Sequence, residues 1–245
     1  MNIEINNLRG SIAAYAKANN LAMTEKAIGY AERSLDKYCE AESAGVKKDN
    51  ALLHIYEMCT MIIDLELDIT SDEEDALLSS VLLHVLQENW PVEDLYDKLV
   101  VQLGFSEETC SIVDLIVNTG DLTDEERQEL KESIQDDKLA LVAAIAHIDN
   151  IIEKMYRYTT WAAHTYIAEA KAVYLPMAIY GKEHYRELRG PVSILTEKLK
   201  ILLEVAEVFI KKYEVREDEL MQDILALHEE NATIRGIIAD FRAGK

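Results

Sequence analysis

The sequence predicts an all-α protein, and three observations carry that prediction. Only 9 Gly and 3 Pro occur in 245 residues, so element breakers are scarce. Three long runs are apolar on nearly every side and the last two predicted helices carry apolar residues at spacings of three and four, the period of one helix face. Runs of alternating β-branched and polar residues, the signature of half-buried strands, are few.

Taken in order, residues 3–19 and 24–43 read as the first two helices, broken at Asn19-Asn20-Leu21, with Thr24 as the cap of the second. Ser43–Lys48 reads as a loop. Asn50 is then placed to cap a helix over 51–67, whose run ALLHIYEMCTMII is apolar on nearly every side. The next helix contains DALLSSVLLHVLQENW, with Ser71 as N-cap and Glu74 in capping-box position. Trp90-Pro91 ends it, and Pro91 suits the first position of a helix over 91–103 that Gly104 closes. Ser106 caps 107–118, and Thr123–Gln135 is charged over most of its surface. A long helix over 138–156 follows, and then an aromatic-rich one over 159–180 that Pro176 should bend. The chain ends in two helices, 192–214 and 217–242, expected as an antiparallel hairpin that covers the core or serves as a homodimer contact. The expected division is therefore 1–190 for the main helical domain and 191–245 for the hairpin. No internal repeat or low-complexity linker demands a second domain.

Composition limits function. Lys and Arg number 25 against 46 Asp and Glu, a formal charge of −21. This disfavours nucleic acid or an anionic membrane as a partner, since both reward clustered cations. Cys39, Cys59 and Cys110 form no C-x-x-C pair, so a reducing, cytoplasmic setting is expected. The N-terminus lacks the pattern of a secretory signal, and no uncharged apolar stretch reaches membrane-spanning length.

The chemistry concentrates in three helices that read as buried on all sides, each of which hides a histidine: His54, His84 and His147. A lone histidine in such a place is usually satisfied by a carbonyl or carboxylate. Three of them in helices that should pack together can converge on one point, which is how bundles build metal sites. Imidazole and carboxylate ligands suit manganese, iron or zinc.

These residues resemble the HD-domain phosphohydrolases, and most closely the guanosine polyphosphate (ppGpp) pyrophosphohydrolase domain of RelA/SpoT type. His54-IYEMCTMI matches the first family histidine, which opens a helix followed by apolar residues. Leu82-Leu-His84-Val-Leu-Gln-Glu88-Asn89-Trp90 lies in register with the family phrase LLHDVVEDT. Leu103-Gly104-Phe105-SEETCSIVDLIV, Ala143-Ala-Ile-Ala-His147-Ile-Asp-Asn150 and Tyr166–Ala178 match three later phrases in order and spacing. The resemblance covers about 24–180 and implies an HD-domain-like helical bundle. It places metal ligands at His54 and His84, catalytic groups at Glu88 and Asn89, and nucleotide contacts at Asn150 and, more loosely, Lys47 and Lys48. The family's two metal aspartates fall on Val85 and Ala146.

The sequence therefore predicts a degenerate ppGpp hydrolase-like protein, catalytically impaired, without a metal cofactor, retaining a guanine-nucleotide site or a regulatory role. Two carboxylates lost together is what a dry, metal-free core requires, because either one left alone would be a stranded buried charge. Two alternatives stay open. One is an active pyrophosphohydrolase on manganese or zinc with substitute ligands from Glu88, His147 or Asp149; on a regular helix His147 points about 100° away from Ala146. The other is a helical interaction module that shares only architecture with the family.

Overall fold

The computed structural model describes residues 3–42, 45–89, 95–116, 123–154 and 160–212. Those residues are helices and short turns, as the sequence predicts. The order is α1 (Ile3–Asn19), α2 (Ala22–Glu42), α3 (Gly45–Asp64), α4 (Ser71–Asn89), a π-helical turn (Asp97–Gln102), α5 (Glu107–Leu115), α6 (Asp124–Asp136), α7 (Lys138–Glu153), α8 (Thr160–Glu169), a second π-helical turn (Ala170–Tyr174), α9 (Leu175–His184) and α10 (189–212).

Helix α7 is the axis. Every residue from Leu139 to Ile152 is buried, because α3, α4, α5, α6, α8 and α9 all pack on it. Its start is fixed by Asp137, whose carboxylate accepts from the amides of Leu139 and Ala140 at 2.9 and 3.0 Å. Helices α3 and α4 pack against each other and against α7, which sets three apolar helices side by side. On α9, Gly181 lets the backbone approach α7 closely, since a Cβ there would lie 2.7 Å from a methyl carbon of Leu141.

Several helix starts differ from the sequence expectation. The capping box of α4 is Thr70–Glu73, one residue ahead of Ser71–Glu74: the Thr70 amide donates to Glu73 at 2.8 Å and the Glu73 amide to the Thr70 hydroxyl at 3.3 Å. Glu74 instead accepts from the Tyr15 hydroxyl at 2.6 Å. Thr24 does not cap α2. The cap comes from α4, where the Asp75 carboxylate accepts from the amides of Met23 and Thr24 at 2.9 and 2.7 Å. Helix α3 begins at Gly45, so the expected loop over 45–48 is helical and Asn50 lies inside the helix.

The segment expected as one bent helix over 159–180 is α8, a π-helical turn and α9. Pro176, in the first turn of α9, has no amide to donate, and the wider turn immediately upstream absorbs the mismatch. Gly104 adopts φ +63° and closes the first π-helical turn, as its position predicts. Thr123 and Glu126 form the capping box of α6.

Helix α10 buries Val192, Leu195, Leu199, Leu203, Ala206 and Ile210, a spacing of three and four that keeps one face inward. Ile194, Ile201, Val205 and Val208 form an exposed stripe on it. The expected second helix of the hairpin, 217–242, lies outside the described residues. Among the described residues, no helix is long and apolar enough to cross a membrane.

Candidate metal centre

His54 from α3, His84 from α4 and His147 from α7 converge. One ligand nitrogen from each lies within 4.8 Å of the others, and the ring centroids are 4.9–5.3 Å apart, edge to face. His84 is fully buried and His147 is 5% exposed; His54 is half-buried.

Hydrogen bonds fix the tautomers of two of the three rings. His84 Nδ1 lies 2.7 Å from the carbonyl oxygen of Val81. A carbonyl only accepts, so Nδ1 carries the hydrogen. His54 Nδ1 lies 2.7 Å from Asn150 Oδ1. The orientation of that amide is set twice over: its nitrogen donates to Glu57 at 3.1 Å, and its oxygen accepts from Lys154 at 3.2 Å. His54 Nδ1 therefore donates as well. The two Nε2 atoms are 3.2 Å apart, and with both rings neutral each would present a lone pair to the other. Two lone pairs at that distance repel, so a shared proton or a metal cation belongs between them. Zinc–imidazole bonds of about 2.0–2.1 Å in a tetrahedron put neighbouring nitrogens about 3.3–3.4 Å apart. The His54–His84 edge thus already matches that spacing, and the donor set of the cluster fits a borderline-soft divalent ion.

The supporting residues form a second layer. Glu57 pairs with Lys154 and both hold Asn150, so the His54 ring is oriented through one amide. Asp149, on another side of α7, is turned away to α10, where Lys198 reaches it at 2.6 Å. The Asp149 side chain has no exposed surface, and burial pushes its carboxyl up to about 6 against the opposing pull of Lys198. Lys198 also pairs with Glu153 at 3.1 Å.

A cleft of about 530 Å³ between α1, α3, α7 and α10 borders this layer, lined by residues that include Glu57, Asn150, Lys154 and Lys198. Glu4, Asp64 and Glu153 line it too, and its two lysines already face carboxylates. It is therefore poor ground for a bare polyphosphate.

Of the residues predicted for the site, His54 and His84 meet. Asn150 is nearly fully buried and serves His54. Lys48 pairs with Asp36 of α2 and does not line the cleft. The side chains of Glu88, Asn89 and Lys47 lie outside the described residues. Val85 and Ala146, at 2% and 0% exposure, are apolar core. Sequence reasoning grouped His147 with His54 and His84 as buried histidines able to converge, while the family resemblance made it only a substitute ligand; it missed Glu57, Lys154 and Lys198. A signal for part of this existed: His147, Asn150 and Lys154 fall at i, i+3 and i+7, a polar stripe on an otherwise apolar helix.

No protein-family model, curated protein or solved structure matches the chain.

Proposed function

We propose that the chain is a degenerate HD-domain-like protein whose ancestral centre survives as a zinc-type site of three imidazoles and no longer hydrolyses guanosine polyphosphate. The observation that carries this reading is the convergence of His54, His84 and His147, with the Nε2 atoms of the first two 3.2 Å apart. When bound, such an ion would supply Lewis acidity and a fixed positive charge where the three helices meet.

The chain's own residues perform the rest. Val81 and Asn150 hold two rings in the ligating tautomer, and Glu57 and Lys154 hold Asn150. Val85 and Ala146 close the positions that the resemblance gives to metal carboxylates. The anionic lining of the adjoining cleft supports a regulatory role over turnover of a polyphosphate, and leaves a guanine nucleotide dependent on accompanying cations for binding.

The test is elemental analysis of the purified chain together with an assay for pyrophosphate release from ppGpp in added zinc or manganese. The expected result is one zinc per chain and no release. Metal-free protein after incubation with zinc overturns the site, and release dependent on His54 and His84 overturns the loss of hydrolysis.

A further inference from the structure

Helix α10 is apolar on two opposite sides. Val192, Leu195, Leu199, Leu203, Ala206 and Ile210 are buried against the bundle. Ile194, Ile201, Val205 and Val208 are each 57–61% exposed. At 100° per residue these four fall within about 60° of one another, on the side away from the buried six. One apolar side is enough to seat a helix on a core; a second, contiguous over about 21 Å, marks a face that something covers. All four are β-branched, a residue class that a bare helix surface does not favour.

The chain that follows α10 carries a matching stripe. Over 217–242, Leu220, Ile224, Leu227, Ile234, Ile238 and Phe241 recur at spacings of three, four and seven, with Asn231 in the remaining heptad position. As a helix this segment is about 39 Å long, enough to run back past Ile194. Charge fits the same reversal. Lys211 and Lys212, both exposed, end the described part of α10, and Glu217, Asp218 and Glu219 open the segment. Between them lie residues 213–216, a length ordinary for a connection between antiparallel helices. Over 217–242 seven acidic residues stand against two arginines, whereas α10 carries five basic residues against three acidic.

We propose that the stripe of Ile194, Ile201, Val205 and Val208 is the docking face for residues 217–242 of the same chain, which run antiparallel to α10. A second copy meeting the stripe symmetrically would bring four apolar side chains a side, well short of the 20–30 residues, about 800 Å² per partner, of a stable dimer. A short connection instead makes the contact intramolecular, at an effective concentration on the order of mM. One contact then covers two apolar stripes that each lack a partner, and α10 becomes a middle layer between the bundle and the segment.

The experiment is limited trypsin digestion of the full-length chain, with mass measured by light scattering. The wild type is expected to be a monomer that is cut slowly after Arg235. Ile201→Glu with Val205→Glu is expected to speed that cut by about tenfold or more, because cleavage follows the population of the open form. These two side chains face away from the bundle, so its thermal unfolding is expected to stay in place. Ile224→Glu with Leu227→Glu alters the segment, leaves α10 intact, and is expected to release the same cut. If both pairs are cleaved at the wild-type rate, the segment does not dock on the stripe and the proposal fails. It fails too if the wild type is a dimer that Ile201→Glu with Val205→Glu converts to monomer, since a second copy is then the cover.

Discussion

Replacing Lys198 with Met should unmask the buried charge of Asp149. The Asp149 side chain has no exposed surface and its carboxyl titrates at about 6 in place of 3.8. At about 1.36 kcal/mol per unit, the ionised form is disfavoured in the fold by about 3 kcal/mol even with Lys198 present. Taking the ammonium away while keeping the aliphatic stem leaves an uncompensated charge, and because a carboxyl titrating at about 6 can take up a proton instead, the cost at pH 8 is capped at about 3 kcal/mol. Because the folded carboxyl is raised, the unfolded chain ionises first as pH rises. The stability contribution of this group is complete below about pH 4 and is lost as pH climbs through 6. The Lys198→Met deficit should therefore be large at pH 8 and shrink at pH 5. Asp149→Asn should be neutral or stabilising at pH 8, by at most about 3 kcal/mol, with Lys198 still free to meet Glu153. Urea unfolding followed by circular dichroism at the two pH values measures all three chains. A Lys198→Met deficit under 1 kcal/mol at pH 8, or one that stays constant at pH 5, would refute the burial argument.

Two further substitutions probe the frame around the centre. Gly181→Ala gains helix propensity of about 1 kcal/mol, yet its methyl would lie 2.7 Å from a Leu141 methyl carbon; overpacking should win, with a net loss of about 1–2 kcal/mol in thermal or urea unfolding. Glu73 is held down at about 2, chiefly by Lys138 at 2.6 Å and then by the Thr70 amide. Its contribution is present above about pH 4.5 and lost as pH falls towards 2. Glu73→Gln should cost about 1–2 kcal/mol at pH 7, the side chain being partly solvated, and the gap to wild type should narrow between pH 4 and pH 3.

How much of this was legible follows from what each residue answers to. The all-α class and the burial of the middle of α7 depend on local periodicity, so the string LALVAAIAHIDNII revealed both. The meeting of His54 with His84 was legible because adjacent apolar helices pack side by side. Asp75 as the cap of α2 was not, since the acceptor comes from another helix about fifty residues away, and a scan for caps looks one to three residues ahead. Thr70 displaced Ser71 because both offer a hydroxyl three residues before a glutamate, and only the path of the chain chooses between them. His147 was undervalued for a related reason: matching it to a register placed the ligand at Ala146, while the cluster forms around the next residue.

The central claim is that three imidazoles, from α3, α4 and α7, form one ligand set. X-ray absorption at the zinc edge of the zinc-loaded chain tests it most directly. The account predicts three imidazole nitrogens at about 2.0–2.1 Å, falling to two in His147→Ala. A zinc shell with fewer than three imidazoles in the wild type, or one unchanged by that substitution, would contradict it.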